Sequence, residues 1–192
     1  MAVKNTDDYT ISGADLYFKA TICDDNVGSD AGFQTDANNI GNVFDVEISS
    51  DVTYVDHYIS NKSKRVKDKT IANMTNLTIN FNTDELSSGN LAKFFLGSVV
   101  GSEIRVLKET VLEGTAHLRM DTDVGQSIVY RIPKCALKPN GSFSPGSGED
   151  WISVPMMLDV LELTSGDTVA SATVKTEQLL KPYGVVAVDV SY

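Results

Sequence analysis

The chain has 192 residues, 16 Lys and Arg against 26 Asp and Glu for a net charge of -10, and 2 Cys. With 42% hydrophobic and 22% charged residues it has globular composition and enough length for a sizeable core, which excludes disulfide-dense miniature scaffolds and disordered or collagen-like chains. Apolar runs such as residues 94–96 and 185–188 fall far short of the ~20 residues of a membrane helix, and the acidic balance argues against gripping nucleic acid through its phosphates. A soluble, single domain over residues 1–192 is therefore the expectation.

Residues 1–10 are polar and show neither a secretory signal nor an Arg-rich transit peptide, so cytosolic synthesis with reduced thiols is expected. A first strand is expected over residues 15–23, followed by an Asp/Gly/Asn-rich loop over 24–42. From Phe44 the apolar residues fall on alternate positions. Phe44, Val46, Ile48, Val52 and Tyr54 make one face, while Asp45, Glu47 and Asp51 make an acidic opposite face. Residues 70–82 repeat the period with Leu77, Ile79 and Phe81 facing one way. Between these strands lies Asn61-Lys-Ser-Lys-Arg-Val-Lys-Asp-Lys69. Residues 61–75 hold 5 basic residues against 1 acidic, whereas residues 1–60 hold 2 against 11. Such a concentration of positive charge reads as a protruding loop over 60–70.

A helix is expected over residues 84–96, capped by Thr83, with Asp84 and Glu85 at its positive end, a stripe of Leu91, Phe94 and Phe95, and Gly97 as a left-handed stop. Further strands are expected over 103–112, 115–120, 127–137, 151–163, 168–174 and 185–190, with a Pro/Gly/Ser loop over 139–150. The fold class is mainly β, a β-sandwich or partial barrel with one flanking α-helix.

Signals for chemistry are weak. The two histidines, His57 and His117, carry no triad signature, and Cys23, Cys135, His57 and His117 lack the close spacings of a zinc motif. Half-exposed histidines and small buried thiols are the simpler reading. Pro145-Gly-Ser-Gly148 lacks the Lys-Ser or Lys-Thr of a phosphate loop, and sequons at Asn61, Asn73, Asn76 and Asn140 reflect composition in a chain without a signal. Neither an enzyme nor a bound cofactor or metal is expected.

The order of features carries more. Leu16-Tyr17-Phe18 precedes an Asp/Gly loop, and Gly41-Asn-Val-Phe44 opens a long strand. A charged loop, a polar strand and Asn90-Leu-Ala92 in a helix closing with Phe95-Leu-Gly97 follow. Over roughly residues 12–100 this resembles the tail tube, or major tail, proteins of long-tailed bacteriophages. The resemblance implies hexameric rings stacked into a hollow tube through which DNA passes, in the tail of a virion, the chain being synthesised in the bacterial host cytoplasm. It implies partners in the tape measure, tail tip and terminator proteins, with no membrane binding by this chain. It also turns the basic stretch into an intersubunit arm, with Lys62, Lys64, Arg65, Lys67 and Lys69 meeting acidic surface on a neighbour. Asp45, Glu47 and Asp51 become lumen-facing residues that repel phosphate. Two other classes compete, a secreted-type carbohydrate- or receptor-binding sandwich and a pilus-like surface subunit. Both usually require export, and the former should show loop aromatics, of which Phe143, Trp151 and Phe33 are the candidates.

Overall fold

The computed structural model describes residues 13–21, 33–121, 127–146, 152–162 and 181–183. The protein is mainly β with one short helix among these residues. The strands are β1 (Gly13–Lys19), β2 (Asn39–Asn61), β3 (Lys64–Thr83), β4 (Ser98–Val100), β5 (Glu103–Arg105), β6 (Leu112–Asp121), β7 (Ser127–Pro139), β8 (Val154–Val160) and β9 (Lys181–Tyr183). Helix α1 is Ser88–Phe94. No helix among the described residues is long and apolar enough to cross a membrane.

All pairings are antiparallel, in the order β6-β1-β2-β3-β8-β7, and β6 also pairs with β7. The last pairing closes the six strands into a barrel, which removes the open edges that a sandwich of two sheets would leave. β9 adds to β7 at Arg131↔Lys181, and β4 and β5 form a separate two-stranded ribbon. Period-2 alternation fills the interior. In β8, Val154, Met156, Leu158 and Val160 are buried while the residues between them are half-exposed, and they meet Leu16, Phe18, Ile79, Phe81, Ile132 and Leu137 from the other strands. Cys135 lies in this core, its Sγ 3.4 Å from the Gly114 carbonyl it donates to, and burial pushes the thiol pKa up. Cys23 lies outside the described residues.

A second, smaller packing layer covers the outside of β1 and β6. Phe33 stacks on His117 with ring centroids 4.0 Å apart, beside buried Tyr17 and Arg131, and Asn38 ties this segment down by accepting a bond from Phe18 N at 2.7 Å. His117 is thus fully enclosed rather than half-exposed. The expectation failed because strand alternation marks only the face turned from the barrel, and the covering ring comes from another part of the chain. Of the loop expected over 24–42, residues 39–42 belong to β2, and 24–32 lie outside the described residues. Of the loop over 139–150, Pro139 ends β7, residues 140–146 are irregular, and 147–150 lie outside. The expected strand over 103–112 is broken. β5 ends at Arg105, and Leu107 N then donates to Phe95 O at 2.9 Å. The strands expected over 168–174 and 185–190 fall outside the described residues.

The helix is shorter than expected and differently capped. Thr83 is still in β3, paired with Val43 and Val154, and its hydroxyl accepts from Glu85 N at 3.3 Å. The cap is Ser87, extended at φ -74° and ψ 153°, whose Oγ accepts from Asn90 N at 3.1 Å. No acidic residue stands in the first turn. The buried face is Asn90, Ala92 and Phe94. Asn90 fixes the helix to the barrel mouth through its side-chain amide, which donates to the carbonyls of Ile40 and Glu85. Phe94 packs edge-on against Phe95 and Phe143, at 5.1 and 5.9 Å.

Candidate functional site: the hairpin arm

β2 and β3 are the longest strands among the described residues, 23 and 20 residues, and pair with each other from Val43↔Thr83 to Asn61↔Lys64. Their other neighbours stop early. β1 reaches β2 only as far as Val43, and β8 reaches β3 only as far as Thr78. Residues 49–77 consequently leave the barrel as a two-stranded ribbon, ~44 Å long at ~3.4 Å per residue, with Leu77 at its root still packed on the core. The stretch 60–70 expected as a loop is the paired end of this ribbon, closed by a two-residue turn at Lys62 and Ser63 with φ of 41° and 73°. Both central residues lie in the left-handed region, as in a type I′ turn, which suits the twist of a hairpin better than an open loop does.

The register settles which residues share a face. One face carries the cross-strand pairs Thr53·Met74, Val55·Ile71, His57·Lys69 and Ile59·Val66. Its five aliphatic side chains, Val55, Ile59, Val66, Ile71 and Met74, are each 46% to 54% exposed. The other face is polar and internally bonded. Asp56 takes a hydrogen bond from Thr70 at 2.8 Å and an ion pair from Lys67 at 2.7 Å, and the Arg65 guanidinium lies 5.7 Å from the Tyr58 ring centroid. The hydrogen bond from Lys67, then that from Thr70, hold the Asp56 carboxyl below its usual 3.8. His57 Nδ1 lies 2.6 Å from Asp68 Oδ1. Of the five basic residues proposed from sequence, Lys67 and Arg65 are thus occupied within the arm. Among the described residues no carboxylate pairs with Lys62, Lys64 or Lys69.

The acidic residues at the base of the arm are rearranged by a bulge. Between Phe44↔Asn82 and Glu47↔Asn80, β2 spends three steps against two in β3, with Asp45 at φ 52°. One extra residue inverts the phase of the alternation. Phe44 therefore shares the outer face with Glu47 and Asp51 and is exposed, instead of joining Val46 and Ile48. Asp45 accepts from Asn82 Nδ2 at 3.3 Å, so the three carboxylates stay exposed at the arm's root. Ile48 and Tyr54 were expected on a buried face but are exposed, Tyr54 because the barrel no longer lies beneath it and Ile48 at the last rungs before the ribbon leaves, opposite buried Ile79. What the sequence reading missed is the aliphatic face. The signal was present as Val55, Ile59, Val66 and Ile71, but only the pairing of the two strands puts them side by side.

The residues weighed for zinc are dispersed. His57 is on the arm, His117 on the outer face of β6 and Cys135 inside the barrel, and no group of three metal-ligating residues occurs among the described residues. The loop aromatics weighed for adhesion are engaged in packing, Phe33 on His117 and Phe143 on Phe94, while Trp151 lies outside the described residues. No protein-family model matches the chain, and no curated protein matches it.

Proposed function

We propose that this chain is a structural subunit that assembles with copies of itself into stacked hexameric rings forming a phage tail tube for DNA delivery. The observation that carries the reading is the arm, a ~44 Å ribbon that projects from a closed barrel and exposes aliphatic side chains it has no means of covering itself. The order of sequence features shared with tail tube proteins over residues 12–100 supplies the ring and the tube. In that arrangement the role of Asp45, Glu47 and Asp51 is to keep phosphate from adhering to the lumen, and sixfold symmetry repeats each carboxylate six times per ring. Lys62, Lys64 and Lys69 meet acidic surface on a neighbour, while Arg65 and Lys67 stiffen the arm from within. Negative-stain electron microscopy of the concentrated protein tests the reading. Rings or hollow filaments of uniform width are expected, and a protein that stays monomeric at every concentration and salt would refute it.

A further inference from the structure

We propose that Asn140 is a site of spontaneous covalent modification, at which the folded chain converts its own link to Gly141 into an isoaspartyl link and thereby loosens Phe143 from helix α1. Asn140-Gly141 is the one Asn-Gly step in the sequence, and every other Asn is followed by a residue with a Cβ. Conversion requires the nitrogen after the Asn to be unbonded and its surroundings to be open. Asn140 and Gly141 both lie exposed just past the end of β7. Among the described residues Gly141 N donates to no acceptor, whereas Leu91 N, which follows Asn90, is bonded to Ser87 O at 3.0 Å. Gly141 has φ 114°, a conformation that keeps other residues from following Asn140, and the nearest atom to a Cβ there would be Pro155 Cγ at 3.7 Å.

The Gly141 nitrogen forms a bond to Asn140 Cγ, closing a cyclic imide, and the Cγ–Nδ2 bond breaks. The amide proton of Gly141 leaves with the side-chain amino group as ammonia. Water then adds at either imide carbonyl, giving aspartate where the original main-chain link is kept and isoaspartate where the link runs through the side chain. Water is the one co-reactant, and either product puts a carboxylate where a neutral amide stood. Asn140 ties the start of the 140–146 segment to two strands, its N donating to Pro155 O of β8 at 3.0 Å and its Nδ2 to Asn80 Oδ1 of β3 at 3.1 Å. Conversion removes the Nδ2 donor and sets a carboxylate beside Asn80 Oδ1, where two acceptors face each other until the Asn80 amide turns over. The new charge lies beside Asn80, which Glu47 opposes in the β2–β3 register. Isoaspartate also lengthens the main chain between the Pro155 anchor and Phe143 by one C–C bond, about 1.5 Å. Phe143 packs edge-on against Phe94 and Phe95 with centroids at 5.9 and 6.4 Å, and a gap of that size forfeits much of their van der Waals contact.

The test incubates full-length protein in mildly alkaline buffer, folded and in urea, and maps its peptides by mass spectrometry with enzymatic methyl labelling of isoaspartate. In the folded sample the peptide containing Asn140 should gain about 1 Da and take up the label, with no matching gain at the other Asn residues. Asn140→Gln, which keeps the amide but disfavours ring closure, should stay unlabelled. NMR contacts between Phe143 and Phe94 should be lost in the isoaspartyl form and kept in freshly prepared Asn140→Asp, which has the new charge without the longer main chain. Conversion that is absent, confined to the urea sample, or equally fast at other Asn residues would overturn Asn140 as a site of the folded protein. Phe143 contacts that persist in the isoaspartyl form would overturn the coupling to helix α1.

Discussion

Leu96 and Gly97 end helix α1 between them, and each does a different part. Gly97 N donates to Ala92 O at 2.8 Å and Leu96 N to Lys93 O at 3.2 Å, the pair of bonds that define a Schellman motif, and it is Leu96 that takes the left-handed position at φ 48°. Gly97 is required for space, because a Cβ there would lie 2.1 Å from the carbonyl oxygen of Arg105. Gly97→Ala should therefore cost about 1–3 kcal/mol in urea unfolding, while Leu96→Gly should stay within about 1 kcal/mol of the parent. Phe94→Ala, which empties a buried aromatic site between Phe95 and Phe143, should cost about 3–5 kcal/mol in the same measurement. On the arm, Asp56 is the residue whose carboxyl is shifted. Its folded pKa is depressed by Lys67 and Thr70, so the stability it contributes is present above the usual 3.8 and lost as pH falls through the lower folded value. Cross-strand NMR contacts near Thr70 should fade below that range, and Asp56→Asn should abolish the acid dependence.

At the scale of elements, the β2–β3 hairpin and the barrel should be separable. The barrel core draws on Ile79 and Phe81 from β3 and on Val43 from β2, and residues beyond Val46 and Leu77 add nothing to it. Replacing residues 52–75 by Asn-Gly, so that Asp51 and Asn76 close the hairpin, should leave a folded monomer by circular dichroism and size-exclusion chromatography. Conversely, Lys62→Asn with Ser63→Gly places residues that accept left-handed backbone at the existing turn, and amide exchange along the arm should slow. Gly41 marks the other end of this element. It has φ 100°, and a Cβ would meet the Glu85 side chain at 2.1 Å, so the strand enters the barrel through a position closed to larger residues.

At the scale of the whole molecule, the proposed tail-tube function makes the charge distribution govern assembly rate and DNA transit. Arm and body carry opposite net charge, so the association rate should fall as salt rises above ~0.1 M, where the Debye length is ~10 Å, while the apolar contact preserves the final assembly. Stopped-flow light scattering measures both. In particles, Glu47→Lys with Asp51→Lys should slow or halt DNA ejection if this face lines the tube, and added salt should shorten the delay. Asp45 is best left alone, since its bulge geometry and its bond from Asn82 make it structural as well as charged.

What the sequence determined by itself were the local regularities. Period-2 alternation marked β2 and β3 as strands, and the clustering of Lys and Arg marked the arm's tip, because each depends on residues a few positions apart. Tertiary structure alone decided where one strand's neighbours end. Alternation in β2 looks the same at Val46, over the barrel, as at Tyr54, in open solvent, since the difference lies in how far β1 and β8 reach. The bulge at Asp45 was equally hidden, because one extra residue changes phase only relative to a partner strand. The aliphatic face of the arm was divided between two strands in opposite directions, and the enclosure of His117 depended on Phe33 arriving from far along the chain. Closure of the barrel was of the same kind, for β6 pairs not only with β7, its neighbour in sequence, but also with β1, which joins residues 13–19 to residues 115–121.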